Sequence, residues 1–276
     1  MKPEVLQLSH LLKKLPPRAK AANKSDFGTV LILAGDQGMS GAARICAEGC
    51  MRVGAGLVTL ATHPAHAATA TLLRPELICH GIDKPLQLAA HLEKATVLAV
   101  GPGLTQSAWS QELTQSVLSS HLPTVIDGGA LDSIKALHGR HSHWIMTPHP
   151  GEAGRLLDRS ASAVQADRIG AITELQQRYG GIVVLKGADT LVKCKDSLYI
   201  CHAGNPGMAS AGMGDLLTGI VTGLLAQGLS SIDSANLGVI LHATAGDNAT
   251  DTEGLQGLLA LDLIPYIRNL LNPDFI

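Results

Sequence analysis

Aromatic side chains are almost missing from this chain: two Trp, three Tyr and two Phe among 276 residues, 3% in all. The core must therefore be assembled from Leu, Ile, Val and Ala, and the aromatic platforms that stack single-stranded nucleic acid are excluded. Charge is scarce as well. Only 16% of residues are Asp, Glu, Lys or Arg and the net charge is −2, which leaves no basic footprint for nucleic acid or anionic lipid. No apolar run reaches the ~20 residues that a bilayer requires. The longest mainly apolar stretch, 216–229, is short and broken by glycine. The opening segment MKPEVLQLSHLLKKLPP mixes apolar and charged residues and lacks the uninterrupted apolar core of a secretory signal. These absences lead to the expectation of a cytoplasmic protein that meets neither nucleic acid nor membrane.

Cysteine is limited to positions 46, 50, 79, 194 and 201, an odd and scattered set that offers no disulfide framework. Cys46 and Cys50 are spaced to meet on one face of a helix, but no further ligand stands nearby at zinc spacing, so both are expected as small buried hydrophobes. His63 with His66, and His141 with His143, have metal-like local spacing without a third ligand and are expected as solvated loop residues.

What the chain does have is apolar residues, 46%, and 30 glycines. Short β-rich runs alternate with helical patterns. TVLILAG at 29–35, GLVTLAT at 56–62, TVLAVGPG at 96–103, PTVIDGGAL at 123–131, HWIMTPHPGE at 143–152 and IVVLKGADT at 182–190 read as strands. The segment 191–204 reads as a hairpin turning near Lys195-Asp196, and helices are expected over 40–56, 162–181, 215–227, 231–250 and 260–272. Continuous apolar strands are buried on both faces, and their alternation with helices implies parallel βαβ crossovers. The expected class is α/β, a three-layer, mostly parallel sheet flanked by helices. No linker, repeat or charge run divides it, so 1–276 reads as one domain whose first strand begins near residue 29. In such sheets ligands gather beyond the carboxyl ends of the strands. AGDQGMSG, GPG, DGG, TPHPGE and KGADT all lie at strand ends and point to one shared crevice.

GNPGMASAGMGD, 204–215, carries four glycines and then an acid at the start of an apolar helix. Gly212 and Gly214 can adopt positive φ and bare backbone N–H groups, and the helix N-terminus adds its dipole. Gly212, Met213 and Gly214 thus form a candidate anion hole for a phosphoryl group, with Asp215 placed to take a proton from an attacking hydroxyl. An N-capping Asp215 after a flexible turn is the plainer alternative. Asp127 before Gly128-Gly129 can order phosphate or Mg²⁺, or simply make a turn. AGDQGMSGAAR at 34–44 is not a phosphate-binding P-loop, because no GK[ST] follows.

GNPGMASAGMGDLLTGIVTGLLAQG resembles the nucleotide-site signature of the ribokinase-like superfamily, and in particular of its NAD(P)H-hydrate dehydratase branch. The likeness extends to LILAGDQGMSGAARICAEGCMRVGAGLVTLAT, AVGPGL, TPHPGEAGRLL and VVLKGADTLV, so it covers about 28–230. It implies repair of NADHX and NADPHX, reduced cofactors whose nicotinamide ring has taken up water. The ring hydroxyl of the S epimer is phosphorylated with ADP in bacteria, or ATP in eukaryotes, and phosphate is then eliminated to restore NADH or NADPH. Phosphate leaves where hydroxide would not.

By this resemblance Ala42, Gly103, His149 and Asp215 meet the hydrated dinucleotide, while Lys186, Gly187, Ala188, Asp189, Thr190 and Gly214 meet the AMP part of the nucleotide. Glu152 is expected to help hold Mg²⁺ through water, since that ion keeps several waters and few protein ligands. Vitamin-precursor kinases of the same fold usually have Asn where His149 stands, so His149 separates the dehydratase reading from its runner-up, an ATP-dependent kinase of a hydroxymethylpyrimidine or pyridoxal-like alcohol. A non-catalytic nucleotide-binding protein is the third reading, and the intact Asp215 and Glu152 weigh against it. Ala211 departs from the glycine that relatives usually carry. The resemblance also leads to the expectation of a homo-oligomer such as a tetramer. It further implies a separate NAD(P)H-hydrate epimerase partner, because the chain lacks room for the epimerase domain that many relatives carry.

Overall fold

The computed structural model describes residues 2–72, 74–137 and 139–273. Among these residues ten strands form one sheet: β1 (Glu4–Val5), β2 (Thr29–Leu33), β3 (Leu57–Thr62), β4 (Ile78–Gly81), β5 (Val97–Val100), β6 (Thr124–Ile126), β7 (Trp144–Met146), β8 (Ile182–Leu185), β9 (Thr190–Lys193) and β10 (Leu198–Cys201). Their order across the sheet is β1-β10-β9-β8-β7-β6-β5-β2-β3-β4. Every neighbouring pair is parallel except those made by β9, which runs against both β8 and β10.

The apolar runs form these strands because both faces are covered. On β2, Val30 and Ile32 join one core cluster while Leu31 and Leu33 join the other, the period-two alternation of a strand. The same alternation places Val97 and Ala99 of β5 on one side and Leu98 and Val100 on the other. Each fully buried Leu or Ile contributes ~1.5–3 kcal/mol. On the first face the helices Ser40–Arg52 and Met213–Ala226 lie in direct contact. A Cβ on Gly219 would stand 2.0 Å from the Cys46 carbonyl oxygen, and one on Gly223 would stand 2.5 Å from that of Cys50, so the backbones meet because glycine lets them. Cys46 and Cys50 are buried in this contact, as expected, and burial pushes both thiols well up.

The architecture matches the sequence expectation, with four local differences. A strand precedes residue 29: β1, two residues long, pairs with β10. β4 was not foreseen, because its pattern of exposed and half-buried residues carries no apolar run. The strand expected over 182–190 stops at Leu185 and resumes as β9, because Gly187 and Asp189 take positive φ and turn the chain. The helix expected over 162–181 is two, Ala161–Ala166 and Arg168–Tyr179. Asp167 leaves helical geometry between them and caps the second by accepting from the Gly170 N–H at 2.8 Å. No helix among the described residues is long and apolar enough to cross a membrane.

Candidate active site

The parallel arrangement brings the ends of β2, β5, β6, β7 and β8 side by side, with the N-terminus of the helix Met213–Ala226 facing the last of them. At the end of β6, Asp127 is 2% exposed, and both of its oxygens are engaged. Oδ1 accepts from Lys186 Nζ at 2.6 Å, and Oδ2 accepts from Thr218 Oγ1 at 2.9 Å. Lys186 follows β8, and its N–H donates to the Pro148 carbonyl at 2.9 Å, which binds this loop to the one after β7. Its ammonium also lies 3.8 Å from Glu152 Oε2. Burial works to lower the Lys186 pKa, but Asp127 and Glu152 outweigh it and hold the lysine charged.

Asp215 lies one helical turn before Thr218 and is half-buried. No hydrogen-bond donor among the described residues reaches its carboxylate. Burial, followed by the negative charge of Asp127, raises its pKa to about 7 against the pull of Lys186, and Glu152 pushes the same way as Asp127. Glu152 is raised too, chiefly by burial and in spite of Lys186. Three carboxylates thus share one ammonium, and Asp215 is the one left without a donor.

The backbone around Asp215 fits an anion. Gly212 has φ of 91° and contributes no capping side chain, so the first N–H groups of the helix are unclaimed. Of the two flanking glycines only Gly212 takes a positive φ. Gly214 serves a different need: a Cβ there would stand 3.2 Å from Lys186 Nζ and 3.7 Å from Asp127 Oδ2. Gly214 therefore stands against Lys186 and Asp127, one residue before Asp215.

His149 caps the helix Pro150–Leu157. Its Nδ1 accepts from the Gly151 N–H at 3.0 Å and the Glu152 N–H at 3.4 Å, while Glu152 Oε2 accepts from the His149 N–H at 2.7 Å. Because Nδ1 accepts, the ring proton sits on Nε2, 3.4 Å from Glu152 Oε1. The prolines and the cap hold a half-exposed imidazole with its donor turned toward the carboxylate group.

The exposed Gly187, Ala188 and Asp189 and the half-buried Thr190 form the loop between β8 and β9. Arg168 fastens this loop, donating to the carbonyls of Leu185 at 3.1 Å and Asp189 at 3.3 Å. Thr190 Oγ1 donates to the Gly187 carbonyl at 2.7 Å, and Asp189 Oδ1 meets His202 Nδ1 at 2.6 Å. At the other end of the crevice, Gly103 has φ of 64° and packs against Ala42: a Cβ on Gly103 would lie 2.9 Å from that of Ala42. Gly101 joins the two regions, since its own Cβ would overlap the Asp127 carbonyl oxygen at 1.7 Å.

The sequence reading did not find Thr218 or Arg168 and left the role of Asp127 open. Nothing local distinguishes them, because their partners stand 91, 17 and 59 positions away. Asn205 and Met208 also acquire a place. Asn205 Oδ1 accepts from the Gly207 N–H at 2.9 Å, its Nδ2 donates to Asp247 Oδ1 at 2.9 Å, and the Met208 sulfur covers Gly246. The histidine pairs are less solvated than expected: His141 stacks on Trp144 at 3.7 Å, and His66 Nε2 lies 3.1 Å from the Asp36 carbonyl. Among the described residues no three His, Cys, Asp or Glu side chains form a metal cage. With both Asp127 oxygens and Glu152 Oε2 already engaged, these carboxylates would suit only a divalent cation that keeps most of its water.

The sheet order and the crevice at its carboxyl edge define a ribokinase-like α/β protein. A ribokinase-like superfamily protein from Enterococcus faecalis aligns with a TM-score of 0.90 at 27% identity, covering 98% of this chain and 95% of its own. The family model for NAD(P)H-hydrate dehydratase matches residues 30–269, and the chain belongs to that family. The bifunctional NAD(P)H-hydrate repair enzyme Nnr of Coxiella burnetii is 47% identical over 270 residues, 98% of this chain and 55% of the relative. The chain spans about half the length of the curated relatives it matches. The Bacillus subtilis ADP/ATP-dependent NAD(P)H-hydrate dehydratase, co-crystallised with ATP and Mg²⁺, aligns with a TM-score of 0.88 at 27% identity, covering 99% of each chain.

Proposed function

We propose that this chain is an ADP-dependent dehydratase of (S)-NADHX and (S)-NADPHX. The observation that carries the reading is Asp215: a carboxylate without a donor, with a pKa of about 7, beside unclaimed helix N–H groups and a half-buried lysine. A base poised near working pH suits removal of the proton from the ring hydroxyl. In this scheme the hydroxyl oxygen attacks the terminal phosphorus of ADP, Asp215 takes its proton and AMP leaves. The C–O bond of the phosphate ester then breaks and phosphate departs while the neighbouring ring carbon gives up a proton to solvent, so that the ring C=C bond and the reduced nicotinamide are restored.

The N–H groups of Met213 and Gly214 and the Lys186 ammonium receive negative charge on the transferring group. Lys186 to Thr190 border the nucleotide, and Ala42, Gly103 and His149 meet the dinucleotide. When bound, Mg²⁺ supplies charge neutralisation to the phosphates, with Glu152 holding its water. Family membership and the relatives' repair activity support this reading over the alcohol-kinase alternative. Assembly as a homo-oligomer and pairing with an NAD(P)H-hydrate epimerase belong to the same proposal, and the bifunctional relatives support the second.

The test is recovery of reduced-nicotinamide absorbance from the hydrate with protein, Mg²⁺ and ADP. Recovery is expected with ADP. Its absence with both ADP and ATP overturns the reading.

A further inference from the structure

The densest set of hydrogen bonds in the crevice outside the Asp215 group converges on Asp36, three residues past the end of β2 and 4% exposed. Its Oδ1 accepts from the Gln37 N–H at 2.7 Å. Its Oδ2 accepts from the hydroxyls of Ser107 at 2.6 Å, Ser110 at 2.9 Å and Thr105. The backbone is tied across the same gap: the Asp36 N–H donates to the Gly103 carbonyl and the Gly35 N–H to that of Pro102, both at 2.9 Å. The Asp36 carbonyl in turn accepts from the Met39 N–H at 2.8 Å. The outcome is the tight meeting of Gly103 with Met39 and Ala42, where a Cβ on Gly103 would come within 2.9 Å of either side chain.

We infer that Asp36 is a positioning residue: its buried carboxylate fastens the turn after β2 to the turn after β5, so that Ala42 and Gly103 offer one surface to the hydrated dinucleotide. The identity of that ligand rests on the dehydratase reading, whereas the fastening does not. Three hydroxyls donating to a single oxygen need a full acceptor, and a carboxylate provides it where an amide nitrogen cannot. Burial opposes the charge, but the donors outweigh it and hold the carboxyl at about 2, so the fastening persists across the physiological pH range.

The test compares Asp36→Ala, Asp36→Asn and Ser110→Ala with the unaltered chain. Hydrogen exchange is followed over 36–44 and 101–107, and KM is measured separately for hydrate and nucleotide. In Asp36→Ala, exchange in both segments should rise together by about tenfold or more. KM for the hydrate should rise roughly tenfold while kcat and the nucleotide KM stay within about threefold. Asp36→Asn should be intermediate, and Ser110→Ala smaller in the same direction. If Asp36→Ala does not fold, Ser110→Ala and Thr105→Val, each removing one donor, decide the matter. Unchanged exchange overturns the fastening whatever the activity. Looser turns with an unchanged hydrate KM overturn the positioning role. A wild-type chain that turns over no hydrate overturns the functional reading, while exchange still decides the fastening.

Discussion

Asp36 and Asp215 are both withdrawn from solvent at the same edge of the sheet, yet their acidities diverge from about 2 to about 7. Burial raises both. What separates them is the supply of donors: Asp36 has three hydroxyls and an N–H, and Asp215 has none but shares its surroundings with Asp127 and Glu152. One carboxylate is held charged by the donors of the neighbouring turn, and the other, without donors, has its pKa raised to about 7. Depth in the protein therefore does not assign a role, and the donor count does.

The largest effect expected is on Asp215. Asp215→Asn should lower kcat by roughly 10²–10⁴ with nucleotide binding retained, and unaltered turnover would remove it as the base. The same variant tests the pKa through stability. A carboxyl whose folded pKa is raised lends stability below its unfolded pKa and loses it as pH climbs through about 7. Asp215→Asn should therefore melt about 2–5 °C higher than the parent at pH 8, with the gap closing below pH 4. Asp36 has the opposite sign. Its stabilisation is complete above the ordinary carboxyl pKa and disappears as pH falls through about 2, so Asp36→Ala should cost about 2–4 kcal/mol at neutral pH and much less in strong acid.

A smaller effect tests the coupling between carboxylates. The acid limb of the kcat/KM profile should lie near pH 7, with activity rising as Asp215 loses its proton. Asp127→Asn removes a charge that raises the Asp215 pKa and frees Lys186 to lower it further, so the limb should move to lower pH. A limb that stays in place shows that Asp127 does not set the base. Gly214→Ala keeps an ordinary backbone but crowds Lys186 Nζ. It should reduce turnover by roughly tenfold with little loss of stability, as read by kinetics and melting together. His149→Asn should be the mildest for stability, within about 0.5 kcal/mol, because Asn also caps helices. Hydrate turnover should nevertheless fall through loss of the Nε2 donor, and full activity would reduce His149 to a cap.

Much of this was legible beforehand. Continuous apolar runs at 29–35, 96–103 and 182–190 announced buried parallel strands, and glycine-rich turns marked the edge where the crevice lies. GNPGMASAGMGD, 204–215, points to a helix N-terminus with bare amides, and Gly212 adopts the positive φ that its position suggests. Gly214 departs from the expected positive φ, and a Cβ there would instead crowd the Lys186 ammonium. The expectation for Lys186 concerns only the nucleotide, and the structure adds an ion pair with Asp127 that no neighbouring position signals.

The sequence by itself determined the α/β class, the strand edge that carries the site and the residue types gathered there, because periodicity and turn chemistry act over a few neighbouring positions. Only the tertiary structure decided which carboxylate is held charged by donors and which is left without them. The hydroxyls that hold Asp36 charged come from 69 to 74 positions along the chain, and the lysine that claims Asp127 from 59. Acidity depends on which donors and charges fold up against a group, and those distances exist only once the sheet has assembled.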